Sequence, residues 1–144
     1  AKIALIKTSV FIPVILGMGG NIATQSSTII VRGMATGRVN EGGEIKLILK
    51  EVQVGVMLGI LYGVLLGVFA RYTFPGAPDN LGYVVGLSIC VSMIVAATVG
   101  TVIPLILRKL DIDPAVATGP FVTTSIDILG VLFYFMIAGF FLSI

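Results

Sequence analysis

Residues 52–70 read VQVGVMLGILYGVLLGVFA and contain no charged side chain. At about 1.5 Å per residue, an α-helix of this length reaches about 28 Å, which matches a hydrocarbon core of roughly 30 Å. Glycine recurs at every fourth position, at Gly55, Gly59, Gly63 and Gly67. Small residues at this spacing form a smooth helix face that a neighbouring helix can approach closely. The stretch therefore predicts a transmembrane helix whose glycines serve packing rather than chemistry.

The rest of the chain has the same apolar character. Of its 144 residues, 57% are hydrophobic and 11% are charged, and the mean hydropathy is +1.12. Soluble domains carry roughly 25% charged residues, so this composition excludes a soluble globular enzyme. The net charge of +2 argues against a nucleic-acid partner, and there is no histidine for metal ligation or catalysis. The single cysteine, Cys90, excludes an intrachain disulfide. The sequence also lacks a recognisable pair of nucleophile and general base, which argues against an enzyme.

The gaps between charged residues predict four transmembrane helices, and thus an all-α polytopic membrane bundle. These gaps are residues 8–31, 52–70, 80–107 and 114–144. Each is long enough to span the hydrocarbon core as a helix. Gly37 is expected to end the first helix, because glycine tolerates the left-handed conformation of a C-terminal cap. Asp113 and Pro114 are expected to begin the last helix, as its N-cap and first helical residue.

Lysine and arginine are distributed unevenly between the two ends of this bundle. One end receives Arg32, Arg38, Lys46, Lys50, Arg108 and Lys109. The other end receives Lys2, Lys7 and Arg71. Because cytoplasmic loops carry the excess of positive charge, the first end is predicted to be cytoplasmic. The chain is then a multi-pass protein of the cell membrane, plasma or inner, with its first residues outside.

The first and last spans carry polar residues at helical spacing inside the membrane. In the first span the stripe consists of Gly17, Gly20, Asn21, Thr24, Thr28 and Arg32, with Gln25 beside it. In the last span it consists of Gly119, Pro120, Thr123, Thr124, Asp127 and Gly130. Lipid would leave these groups unpaired at a cost of several kcal/mol each, so the stripes are predicted to face something polar. Hydrogen bonding between helices is an equally good interpretation of each hydroxyl taken singly.

Glycines also weaken the first span locally. Gly17, Gly19 and Gly20 follow Pro13. This cluster predicts either an unwound segment that exposes backbone carbonyls to a pore or a close approach between helices, and the sequence does not separate the two.

Asp127 is the one acid within these predicted spans, near the middle of the last. An unpaired charge there costs at least about 2.5–3.5 kcal/mol on insertion scales, and such residues usually line ion or proton pathways. With the amides and hydroxyls of the stripes it forms an all-oxygen set, which suits Mg²⁺ or Ca²⁺. One carboxylate is too little charge to strip the water from Mg²⁺, so Asp127 is expected to bind the hydrated ion. In a two-fold dimer, two Asp127 carboxylates would balance one divalent charge.

Two separate motifs carry a resemblance to a known family. Residues 13–28, PVILGMGGNIATQSST, continue to Val31-Arg32-Gly33 and closely resemble the second transmembrane helix of the MgtE family of magnesium channels and transporters. The last span resembles the fifth helix of that family through Asp113-Pro114-Ala115, Gly119-Pro120-Phe121, Thr123-Thr124 and Asp127. The similarity extends over essentially the whole chain, with spans two to five in order, and the eukaryotic solute carrier 41 family has a related domain.

The resemblance implies a homodimer whose ion path runs between the protomers. It implies that Asp127 recognises hydrated Mg²⁺, the transported ion, helped by backbone carbonyls near Thr123. It also places Asn21 in the pore-lining motif. The candidate metal-site residues are thus Asp127, Thr123, Thr124, Asn21, Gly20 and Gln25.

The resemblance also sets an expected domain organisation. Residues 1–144 are expected to form one membrane domain of this kind, corresponding to spans two to five of five. The family's first helix and its cytosolic Mg²⁺-sensing domains are then missing from this sequence. Two other functions stay open, namely a coupled transporter that exchanges Mg²⁺ for Na⁺ or protons and a non-conducting dimerisation subunit.

Overall fold

The computed structural model describes residues 9–39, 42–74, 76 and 78–142. Within them lie four α-helices, α1 (Ile12–Ala35), α2 (Glu44–Thr73), α3 (Leu81–Lys109) and α4 (Pro120–Leu142), with a short 3₁₀ helix at Pro114–Thr118. These described residues contain no β-strand. All four α-helices are long and apolar enough to cross a membrane, which confirms the predicted all-α membrane bundle.

The regularly spaced glycines pack α2 against α3, as predicted. All four are buried: Gly55, Gly59, Gly63 and Gly67. A Cβ atom at Gly63 would lie 2.6 Å from the carbonyl oxygen of Gly86, and one at Gly67 would lie 2.8 Å from that of Gly82. Such distances are shorter than van der Waals contact, so a larger residue at either position would force the two backbones apart. This glycine face is therefore the packing surface between α2 and α3.

The central helix of the bundle is α3. The other three helices all pack against it, whereas α2 makes few contacts with α1 or α4. Val85, Ile89 and Met93 of α3 are buried together with Ile15 of α1 and Tyr134 of α4. The hydrophobic core thus lies between α1, α3 and α4, and α2 is attached to its side through α3.

Helices α1 and α4 lie side by side and run in opposite directions. A Cβ atom at Gly19 would lie 3.1 Å from Cγ2 of Ile126, and one at Gly130 would lie 2.9 Å from Cδ2 of Leu16. Residue numbers rise along α1 as they fall along α4, so the pair is antiparallel. This pairing brings residues 16–19 of α1 beside residues 126–130 of α4, and both segments lie within or next to the predicted polar stripes.

Contacts at the ends of the bundle agree with spans that alternate in direction. At one end, Nη1 of Arg108 donates a hydrogen bond to the carbonyl oxygen of Val39 at 3.2 Å. At the other end, Nδ2 of Asn80 donates to the carbonyl oxygen of Phe141 at 3.2 Å. The assignment of one end to the cytoplasm stays a prediction. Two lysines used in that argument lie outside the described residues: Lys2 and Lys7.

The glycine cluster does not unwind α1, which is a continuous helix through this region. A Cβ atom at Gly19 would lie 2.7 Å from Oγ of Ser92 in α3, whereas Gly17 and Gly20 have open space where a Cβ would stand. Close packing is therefore the interpretation that holds, and it holds at Gly19. The helix ends just before Gly37, whose φ of +68° is the predicted left-handed cap.

The last membrane helix begins later than predicted. Asp113 does cap a helix, because its Oδ1 accepts a hydrogen bond from the backbone N–H of Ala115 at 2.9 Å. The helix that it caps is the short 3₁₀ helix Pro114–Thr118, which ends at the extended backbone of Gly119. Helix α4 starts afresh at Pro120. The prediction that Asp113 and Pro114 begin the last span is thus wrong by one short 3₁₀ segment.

Candidate ion-recognition site

Asp127 lies about two turns from the start of α4, nearer to that end than predicted because the helix begins only at Pro120, and the rest of the chain leaves its side chain exposed. The core-facing side of α4 is formed by Val122, Ile126 and Tyr134, none of which is more than 1% exposed. Within the described part of the chain, no ion pair or hydrogen bond involves the Asp127 carboxylate. A charge at this depth requires water, an ion or a second protein chain beside it.

The neighbouring threonines of α4 differ in how their hydroxyls are satisfied. Oγ1 of Thr123 donates to the carbonyl oxygen of Pro120 at 3.2 Å, so its own helix orients it. Thr124 is exposed and lies three positions before Asp127, on the same face of the helix. The backbone carbonyl of Thr123 lies one turn before Asp127. Thr124 and Asp127 therefore form one exposed polar strip along α4.

The polar stripe of α1 is exposed except at Gly20 and Thr24, which are half-buried. Thr24 donates through Oγ1 to the carbonyl oxygen of Gly20 at 2.8 Å, and Thr28 donates to that of Thr24 at 2.8 Å. Bonds between helices thus do not account for these two hydroxyls. The amides of Asn21 and Gln25 are exposed, and neither has a hydrogen-bond partner in the described residues.

The register between α1 and α4 sets Asn21 and Asp127 at similar depth. Gly19 packs beside Ile126. Asn21 lies two residues beyond Gly19 in one direction, and Asp127 lies one residue beyond Ile126 in the other. On antiparallel helices with a rise of about 1.5 Å per residue, the two positions differ in depth by about 4–5 Å, which is less than one turn.

The structure does not join the two stripes into one pocket within a single protomer. A shallow depression on α1 is lined by Asn21, Thr24, Gln25, Thr28 and Ile29, all of them on that one helix. Asp127 does not line it. Among the residues described, no group of three or more His, Cys, Asp or Glu side chains is placed to hold a metal ion. One protomer thus offers a single carboxylate and the amide of Asn21 at similar depth on its outer surface, with the amide of Gln25 about one turn further along α1.

Arg32 is not the counter-charge of Asp127. It lies about three helical turns, about 16 Å, beyond Asn21 along α1, and its side chain is exposed. The ion pair found in the described residues joins Arg71 and Asp79 instead, with 2.9 Å between Nη2 and Oδ1. This pair lies outside the stripes and joins the last turn of α2 to the segment that connects α2 to α3.

A buried acid that the sequence reasoning did not identify lies in α2. Glu51 is 7% exposed, and its Oε2 accepts a hydrogen bond from Oγ of Ser26 in α1 at 2.8 Å. The sequence reasoning used Glu51 as the border of a span, which removed it from the search for acids within the spans. A signal was present, because Glu51 stands four residues before Gly55 and continues the buried glycine face by one turn.

Comparisons with known proteins agree on one family. The family model MgtE, described as a divalent cation transporter, matches residues 12–137. The chain is 36% identical to the magnesium transporter MgtE of Bacillus subtilis over 128 residues, which is 89% of this chain and 28% of that protein. It is 38% identical to the one of Enterococcus faecalis over 134 residues, 93% of this chain and 29% of the relative.

A third relative extends the comparison. The chain is 36% identical to the magnesium transporter MgtE of Thermus thermophilus over 128 residues, 89% of this chain and 28% of that protein. The chain thus spans less than a third of the length of these curated relatives. Because the matched region takes in nearly the whole four-helix bundle, the chain belongs to the MgtE family of divalent cation transporters.

Proposed function

We propose that this chain forms a magnesium-conducting channel domain whose ion path lies between two copies of the chain. The observation that carries the proposal is Asp127, an exposed carboxylate with no partner in the described residues, about a third of the way along an apolar helix. Three relatives that are named magnesium transporters match nine-tenths of the chain. The activity is transport of the ion, with no catalytic chemistry.

A second copy gives the polar stripes an environment that lipid does not. Facing acyl chains, Asp127 would cost at least about 2.5–3.5 kcal/mol, and the amides of Asn21 and Gln25 would add to this. A two-fold axis beside α1 and α4 places the same surface of each protomer against the other. Both Asp127 carboxylates then lie near one axis, and the stripes line a shared polar passage rather than the lipid.

The chemistry of this surface suits an ion that keeps its water. Mg²⁺ gives up water reluctantly, and a single carboxylate per chain cannot replace an octahedral shell. The Asp127 oxygens therefore accept hydrogen bonds from water molecules bound to the ion. The amide oxygen of Asn21 and the backbone carbonyl of Thr123 are further acceptors for water bound to the ion, and the amide of Gln25 is the next acceptor about one turn along α1. Two carboxylates neutralise the two positive charges, so the ion crosses the apolar layer without a large electrostatic barrier.

Magnesium flux into liposomes tests this proposal. The purified chain is reconstituted, an inside-negative potential is applied, and Mg²⁺ entry is followed with an enclosed fluorescent indicator. Asp127→Asn keeps the size of the side chain and removes its charge. We expect its flux to fall at least about tenfold, because a hydrogen bond to a charged group is worth about 1.5–3 kcal/mol. Asp79→Asn makes the same chemical change outside the stripes and is expected to leave the flux unchanged.

The alternatives give different results in the same assay. Equal flux in Asp127→Asn and the unaltered chain rejects the proposed recognition. Uptake that requires a Na⁺ or proton gradient identifies a coupled transporter instead of a channel. Association of two copies without any flux identifies a dimerisation subunit.

A further inference from the structure

Glu51 has no role in the function proposed above, yet among the described acids it is the buried one. It is 7% exposed and Ser26 is 4% exposed, and the hydrogen bond between them is 2.8 Å long. No lysine or arginine forms an ion pair with it in the described residues. A buried carboxylate held by one hydroxyl is costly, so this pair is unlike the ordinary packing around it.

The bond joins two helices that otherwise hardly meet. Helix α2 packs against α3 through its glycine face, and α1 packs against α3 and α4. Glu51 extends the glycine face of α2 by one turn beyond Gly55, towards the side of α1 that carries Ser26. The hydrogen bond is thus a direct tie from the α2–α3 pair to the helix that carries the exposed amides.

The position of Ser26 on α1 makes this tie sensitive to the rotation of the helix. Successive residues on an α-helix are about 100° apart, so Ser26 lies about 100° from Gln25 and about 140° from Asn21 around the axis. Ser26 is buried while both amides are exposed. If the hydroxyl stays bonded to Glu51, Asn21 and Gln25 stay turned away from the core.

We propose that Glu51 is a positioning residue that holds Ser26 and thereby sets the rotation of α1 about its axis. It keeps Asn21 and Gln25 directed into the ion path without touching the ion itself. The role requires an acceptor at position 51, and a neutral amide oxygen supplies one as well as a carboxylate does. This inference rests on the proposed function, because the direction of the amides matters only if an aqueous path runs beside them.

Thiol labelling measures this rotation without relying on transport. In a Cys90→Ala background, Asn21→Cys is treated with a water-soluble thiol reagent on the chain reconstituted in liposomes. We expect labelling in that background and a labelling rate about fivefold lower when Glu51→Leu is added, as the loss of one hydrogen bond implies. Ser26→Ala should lower the rate similarly, and combining it with Glu51→Leu should add little, because both remove the same bond.

Two further variants separate positioning from simple damage. Glu51→Gln retains an acceptor and should keep the labelling rate of the background. Gln53→Leu removes an exposed polar side chain from the same helix and should also leave it unchanged. If Glu51→Leu does not fold, Ser26→Ala alone still decides the question.

The labelling and flux results together decide between the positioning role of Glu51 and the proposed function. Unchanged labelling in well-folded Glu51→Leu and Ser26→Ala rejects the positioning role, as does a position 21 that is unlabelled in every background. If labelling responds as expected but the unaltered chain carries no Mg²⁺, the proposed function fails and the tie to α1 stands. If flux depends on Asp127 while labelling ignores Glu51, the inference fails and the proposed function stands.

Discussion

Gly19 and Ile126 are in direct contact, and this contact sets the register of the two helices that carry polar stripes. A Cβ atom at Gly19 would lie 3.1 Å from Cγ2 of Ile126 and 2.7 Å from Oγ of Ser92. The absence of a side chain at position 19 therefore lets α1 approach both α3 and α4. Since Asp127 follows Ile126 directly, the same contact determines which part of α1 lies at the depth of the carboxylate.

Gly19→Ala is expected to destabilise the bundle by about 1–3 kcal/mol, the usual cost of an extra group in a packed core. The midpoint of thermal unfolding in detergent measures this change. Gly17→Ala is the matched control, because nothing lies within 4 Å of its added Cβ. Alanine there should be neutral or slightly stabilising, since glycine inside a helix costs up to about 1 kcal/mol relative to alanine.

A double variant, Gly19→Ala with Ser92→Ala, tests whether the serine hydroxyl is the obstacle at position 19. Oγ of Ser92 is buried and has no hydrogen-bond partner among the described residues. Its removal should therefore cost little and should restore part of the stability lost at position 19. Equal midpoints for Gly19→Ala and Gly17→Ala would show that the helices do not depend on this contact.

Gly63→Ala should be more damaging, because the obstacle is backbone rather than side chain. The added methyl group would stand 2.6 Å from the carbonyl oxygen of Gly86, and only separation of α2 from α3 relieves that contact. We expect a loss of about 3 kcal/mol or more in the free energy of unfolding, at the upper end of overpacking. Val64→Ala is the control, since Val64 is 61% exposed and its side chain points away from the glycine face. A similar loss in both variants would contradict the glycine interface.

Local patterns predicted the four helices and the glycine face because both follow from spacing along one segment. The start of α4 was missed, since Gly119 and Pro120 restart the helix after a cap that is itself real. Glu51 was missed for a different reason. Its hydrogen-bond partner, Ser26, is distant in sequence. In addition, the spans were defined as the gaps between charged residues, so every acid next to a gap was placed outside the membrane helix. The place of Asp127 within an apolar span was predicted from the sequence, but its level relative to Asn21 depends on the contact between Gly19 and Ile126, which no local pattern contains.

Cross-linking should show that two Asp127 positions lie near a common axis. In a Cys90→Ala background, Asp127→Cys is treated with a short bifunctional thiol reagent, because a direct disulfide requires Cα atoms within about 7 Å and the proposed path leaves room for a hydrated ion between the two acids. We expect a covalent dimer on denaturing gels. Met136→Cys is the control, since Met136 is 61% exposed but lies about 180° around α4. Dimers at position 136 and none at 127 would place the interface on the opposite face.

Recognition of a hydrated ion rather than a bare one predicts inhibition by an ion that cannot lose its ligands. Hexaamminecobalt(III) has the size and octahedral shape of hydrated Mg²⁺, and its ammonia ligands donate hydrogen bonds but do not exchange. It should compete with Mg²⁺ entry into liposomes by binding to the carboxylates of Asp127. In Asp127→Asn, inhibition should need at least about tenfold more complex, because charge-assisted hydrogen bonds are lost. Asp79→Asn should respond like the unaltered chain. If Mg²⁺ flux depends on Asp127 while the complex has no effect, the carboxylate binds the metal directly, and the ion must shed water to pass.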